Sequence, residues 1–169
     1  MLTLIVVESM FGNTREVADA IADGVRSAAG EVVVVDVTRA PSAVPEGVEL
    51  LIVGGPTHAF SMTRPATRED ALQQAHSPDE AKAAIGIREW IDAAAPDPAL
   101  RVLTFDTRVK KAFIPGSAAK SAAKALAHHG FEHAERGETF WVEDTPGPLK
   151  PGEAERAREW GRSLATSTQ

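Results

Sequence analysis

The chain has 169 residues, 43% hydrophobic and 25% charged, with a formal net charge of −6 and no cysteine. That balance predicts one globular domain over residues 1–169 and excludes disulfides, thiolate metal centres, iron–sulfur clusters and cysteine nucleophiles. The acidic charge argues against nucleic acid as the main partner, and no apolar run approaches the roughly 20 residues that span a bilayer.

The chain opens at once on Leu2 to Val7, a near-continuous apolar run of the kind buried on both faces of a parallel sheet. No basic flank or small-residue cleavage site precedes it, so a cytoplasmic location is expected. Thr14 to Ala28 follows as a helix, with Val17, Ala18, Ile21, Ala22 and Val25 at helical spacing and Gly30 as its stop. Val32 to Val37 reads as a second strand and Leu50 to Val53 as a third. After Gly54-Gly55-Pro56 a polar stretch runs to Ser77, long for a structureless loop and suited to a lid or a partner surface. A helix is expected from Pro78 to Ala94, with Ile87, Trp90 and Ile91 on one face. Arg101 to Phe105 is a fourth strand, Ser117 to His128 a helix after Pro115-Gly116, Thr139 to Val142 part of a fifth strand, and Glu153 to Leu164 the last helix. Five strands alternating with helices predict a doubly wound five-stranded parallel α/β sheet with helices on both faces and right-handed crossovers.

In such sheets ligands bind beyond the carboxyl ends of the strands, where the strand order reverses. Just after the first strand stands Ser9-Met10-Phe11-Gly12-Asn13-Thr14, directly ahead of a helix. Hydroxyls, an amide and backbone N–H groups at a helix N-terminus make a phosphate cradle without lysine or arginine, and Gly12 lets the backbone come close to the anion. A ligand-free capped turn is the plainer reading, because Asn and Thr are also ordinary N-caps. The chain lacks Gly-x-x-x-x-Gly-Lys-Ser/Thr, and no Gly-x-Gly-x-x-Gly follows the first strand. Triphosphate hydrolysis and the usual dinucleotide site both lose support.

Ser9 to Thr14 resembles the flavodoxin pattern Ser/Thr-x-Ser/Thr-Gly-Asn-Thr, and is most similar to the form found in the flavodoxin modules of flavodiiron proteins. It departs at Phe11, which stands where the pattern has a hydroxyl. The resemblance continues through Gly54-Gly55-Pro56-Thr57-His58 after the third strand and Asp106-Thr107-Arg108 after the fourth. It implies a flavodoxin-like fold of the short type and an FMN-binding electron-transfer protein working with redox partner proteins, as a monomer or weak dimer. The implied cofactor-binding residues are Ser9, Met10, Phe11, Gly12, Asn13 and Thr14 at the phosphate. Thr57, His58, Ala59 and Phe60, with Thr107, Arg108 and Val109, would clasp the flavin ring, and Pro56 and Asp106 belong to the implied cofactor-binding residues of the same two segments. The chain holds no tyrosine, so the tyrosine usual over the flavin is missing and His58 and Phe60 are the ring-bearing residues of the first clasping loop.

Two other functions stay compatible with these residues. One is an NAD(P)H-dependent quinone or flavin reductase on the same fold, with Arg64 to Ser77 as walls for a second substrate. The other is a module of the same fold that binds no cofactor. His128 and His129 are adjacent on a helix and point about 100° apart, which suits a helix C-terminus better than a metal. Glu132, Glu135, Glu138, Glu143 and Asp144 form an acidic region around the fifth strand, read as a solvated surface or a docking face for a basic partner.

Overall fold

The computed structural model describes residues 1–76, 79–111 and 115–167. Five parallel strands, β1 (Leu2–Val7), β2 (Glu31–Asp36), β3 (Leu50–Pro56), β4 (Arg101–Val109) and β5 (His133–Val142), lie in the order β2-β1-β3-β4-β5. Helices α1 (Asn13–Ser27) and α6 (Glu153–Thr166) cover one face, and α4 (Ile87–Ala93) and α5 (Ala118–His128) the other. This is the expected doubly wound sheet.

Alternation along β1 shows why its sequence is apolar throughout. Leu4 and Val6 pack with Trp90, Ile91 and Leu126, whereas Ile5 and Val7 pack with Val17, Ile21 and Phe140. Both faces of the strand are covered, so both sets of side chains leave water. On the first face Trp90 is core, its indole N–H donating to the Pro41 carbonyl at 3.0 Å. On the second, α1 and α6 cross at glycines. A Cβ on Gly24 would stand 2.0 Å from the Arg158 carbonyl oxygen, and one on Gly161 2.1 Å from that of Ile21.

Three expectations are corrected. The polar stretch after β3 contains a helix, α2 (Pro65–Gln74), whose start is fixed when the Arg64 N–H donates to Thr67 Oγ1 at 2.9 Å. The single helix expected up to Ala94 is two, α3 (Glu80–Ala84) and α4, parted at Ile85-Gly86. Its expected start at Pro78, like Ser77, lies outside the described residues. Gly86 cannot carry a side chain, because a Cβ there would meet Arg68 Nη1 and Glu8 Oε1 at 2.4 Å each. Third, Asp106, Thr107 and Arg108 are not in a loop. β4 runs on through them to Val109, because Gly55 and Pro56 of β3 and Thr139 to Val142 of β5 continue the ladder on either side.

Candidate functional site

The order reverses between β1 and β3, which leave in opposite directions and open a crevice at their carboxyl ends. The turn from β1 into α1 is braced by its own serine. Ser9 Oγ accepts from the backbone N–H of Gly12 at 3.1 Å and of Arg15 at 3.3 Å. Gly12 is the N-cap of α1, at φ +95°, a conformation that suits glycine. It has no side chain to cap with, and the backbone N–H groups of Asn13 and Thr14 take no partner among the described residues. Two donors at the positive end of a 15-residue helix therefore stand open where both residues line the crevice. Phe11 lost a hydroxyl but gained packing, against the small cluster of Met10, Ala71 and Leu72 that joins this loop to α2.

The opposite wall is built on Asp106. Its buried carboxylate accepts from Thr57 and Ser117 hydroxyls at 2.7 Å, from Thr139 at 2.6 Å and from the Ala119 N–H at 3.2 Å. Those bonds fix the loop after β3 to the start of α5 and to β5, so Asp106 supports the site from behind and does not line it. Thr57 also donates its N–H to the Thr107 carbonyl, and Thr107 Oγ1 meets Thr14 Oγ1 at 2.8 Å.

Beyond Thr57 the chain makes a two-residue reversal. His58 and Ser61 exchange backbone hydrogen bonds of 3.0 and 3.1 Å, with Ala59 at φ +46° and Phe60 at φ +72°. Positive φ at a phenylalanine is uncommon, and such backbone gathers at ligand clamps. The ring of Phe60 is left exposed, and Gly116 packs so closely that a Cβ would stand 2.1 Å from the Phe60 carbonyl oxygen. Burial, reinforced by the Arg68 cation, lowers the pKa of His58 and favours its neutral imidazole.

Three adjoining cavities result. One, lined by Met10, Phe11, Asn13, Thr14, Pro56, His58, Thr107 and Val109, shares Arg108 with a second of ≈ 270 Å³ beside Ala59, Phe60 and Gly116. A third of ≈ 230 Å³ lies between His58 and the face of α2 that presents Thr67, Asp70, Ala71 and Gln74. Thr57 borders all three. The structure thus brings most of the expected residues to one crevice, with Ser9, Gly12 and Asp106 as its frame.

Sequence reasoning missed the loop after β5 and a buried network. Val142 and Thr145 line the first cavity, and Gly147 presses on the Asn13 amide, where a Cβ would be 2.4 Å from Oδ1. The turn signal Thr145-Pro146-Gly147-Pro148 marked a loop there, at the carboxyl end of a strand. Behind the first loop, Glu8 accepts from Thr63 Oγ1 at 2.6 Å and from the Ile87 N–H at 2.8 Å, and fully buried Arg68 donates to Thr63 at 2.9 Å and pairs with Glu89. Thr63 thus relays Glu8 to the guanidinium that pairs with Glu89. Burial raises the pKa of Glu8, and its hydrogen bonds and Arg68 only partly oppose the rise. Among the described residues no cluster of histidines and carboxylates is arranged to hold a metal, and His129 instead bonds the Ala94 carbonyl at 2.7 Å.

The same architecture recurs in solved structures. Oxidised flavodoxin 1 from Bacillus cereus is 19% identical at a TM-score of 0.68, covering 98% of this chain and 98% of its own. The Streptococcus pneumoniae TIGR4 flavodoxin is 19% identical at 0.64, covering 99% of each chain. The flavodiiron protein of Giardia intestinalis is 18% identical at 0.59, with 98% of this chain matching 35% of that one. No curated protein sequence gives a significant match. The sequence profile of the flavodoxin family matches residues 5–99, more than half of the chain. With the strand order and the crevice at its reversal, that match bears out the resemblance: the chain belongs to the flavodoxin family.

Proposed function

We propose that this chain binds FMN non-covalently in the crevice and serves as an electron-transfer protein for redox partner proteins in the cytoplasm. One observation carries the reading. The N–H groups of Asn13 and Thr14, at the start of a helix whose N-cap Gly12 has no side chain and beside the Ser9-braced loop, suit a phosphate dianion. No helix of the described residues is long and apolar enough to cross a membrane.

The chemistry of the residues lining the crevice supports the reading. Asn13 and Thr14 would hold the phosphate, Thr57 and Thr107 border the middle of the crevice, and the turn at His58 to Phe60 faces Arg108 and Val109 across the cavities that would take the ring. Bound FMN supplies one- and two-electron chemistry. The chain supplies orientation and electrostatics. Neutral His58 offers one N–H donor and one acceptor, and the exposed Phe60 ring suits contact with a partner at the crevice. The purified protein is expected to be yellow with flavin absorption bands. A colourless protein that takes up no FMN on titration would overturn the reading.

A second reading, an NAD(P)H-dependent quinone or flavin reductase, is favoured by the cavity between His58 and the polar face of α2. FMN-dependent NADPH oxidation with a quinone acceptor tests it.

A further inference from the structure

Arg108 and Trp141 are cross-strand partners in the β4–β5 ladder. Strand alternation sends Asp106 and Arg108 to the α5 side of the sheet, where Asp106 meets Ser117 and Arg108 donates to the Gly116 carbonyl. The half-buried indole of Trp141 lies on that side too. The Arg108 guanidinium carbon stands 5.4 Å from its centroid, and Lys110 Nζ stands 5.6 Å from it. Tryptophan is the best side-chain acceptor for such cations. A chain of net charge −6 thus gathers two cations on one ring at the mouth of its crevice. Arg108 lines both of the cavities that meet there, and among the described residues no carboxylate lines either.

We propose that Trp141 is a positioning residue: its indole, with the Gly116 carbonyl, holds the Arg108 guanidinium at the junction of the two cavities, where a fixed cation favours the reduced, negatively charged form of the bound flavin. The inference rests on the FMN reading and adds to it what sets the affinity for each redox state. A guanidinium swinging in solvent is screened, whereas one held against the crevice acts at a constant distance.

The test is a double-mutant cycle of Trp141→Leu and Arg108→Gln, with Trp141→Phe as the variant that keeps a ring. In each, the Kd of oxidised FMN is compared with that of reduced FMN, and the second one-electron potential is measured. Trp141→Leu and Arg108→Gln are each expected to lower the preference for the reduced form about three- to fivefold. At about 59 mV per tenfold this is a fall of about 30 to 40 mV. The double variant should fall no further than Arg108→Gln, and Trp141→Phe should fall between wild type and Trp141→Leu. Additive effects, or an unchanged preference in both Trp141 variants, overturn the proposal while leaving FMN binding in place. Should Trp141→Leu fail to fold, the Phe variant against Arg108→Gln decides alone. A wild-type protein that binds no FMN overturns the functional reading, and this proposal falls with it.

Discussion

Thr14 and Thr107, separated by 93 positions in the chain, join their hydroxyls at 2.8 Å across the floor of the crevice. The bond ties the first turn of α1 to the end of β4, so under the FMN reading the proposed phosphate end and ring end of the crevice are joined directly. FMN is therefore expected to bind far more tightly than riboflavin, since the helix terminus acts on the phosphate alone. Ser9→Ala, which removes the brace of the Gly12 and Arg15 N–H groups, and Thr14→Ala should each weaken FMN by about 1 to 3 kcal/mol. Calorimetric titration with both ligands checks this, and equal affinities would place the phosphate elsewhere.

His58→Ala is expected to raise flavin fluorescence and loosen FMN, because the side chain borders two of the three cavities. His76→Ala is the control. That residue is exposed and borders none of the three. Matching emission and affinity in the two variants would leave His58 without a part in covering the ring.

Charge beside the flavin should set its second reduction step. One cation ~6 Å from the reduced ring at an effective dielectric of ~20 favours the anion by about 3 kcal/mol, and about a third survives at a half-exposed side chain. That is a few tens of millivolts upward, at about 59 mV per tenfold for one electron. Arg108→Glu should lower this potential at low salt and less so at high salt. An unchanged potential contradicts the electrostatic role, and an effect that survives high salt indicates direct contact.

Glu8 gives the fold a pH dependence with a definite sign. Its carboxyl titrates near 4.5 when unfolded and higher when folded, so between those values the native state holds the extra proton. The contribution is fully present below about pH 4.5 and is lost as pH rises through the folded value. Thermal unfolding of Glu8→Gln across pH 4 to 8 should show a shallower decline than wild type. Parallel curves would assign the slope to other groups. Glu8→Ala, which strips the Thr63 hydroxyl and the Ile87 N–H of their acceptor, should cost about 1 to 3 kcal/mol at any pH.

Much of this site was legible from residue type and order. Leu2 to Val7 and Leu50 to Val53 had to be buried strands, and the Ser9 to Thr14 loop had to follow the first of them. α2 was not legible, because its buried residues are Arg68, Ala71 and Leu72. Arginine reads as solvent-facing until its partners are known, and Glu89 and Glu8 lie 21 and 60 positions away in the chain. The first part of β5, His133 to Gly137, was missed for a related reason. Its burial is slight, and its pairing with Arg101 to Thr104 is a matter of ladder hydrogen bonds that carry no hydrophobic pattern. Trp141 could be read as an aromatic but not as a platform, since its register against Arg108 exists only once the sheet is assembled.

The anchoring of α2 also bears on how the crevice is entered. Swinging that helix outward would strip Arg68 from Glu89, Thr63 and the carbonyls of Ala83 and Ala84, and leave Glu8 without its cation. Such an opening breaks a buried network, so the amide protons of Arg68, Ala71 and Leu72 are expected to exchange with solvent more slowly than those of the exposed face of α2. Entry to the crevice is then expected between the Ala59-Phe60 reversal and the Thr145 loop, with α2 as a doorpost rather than a door.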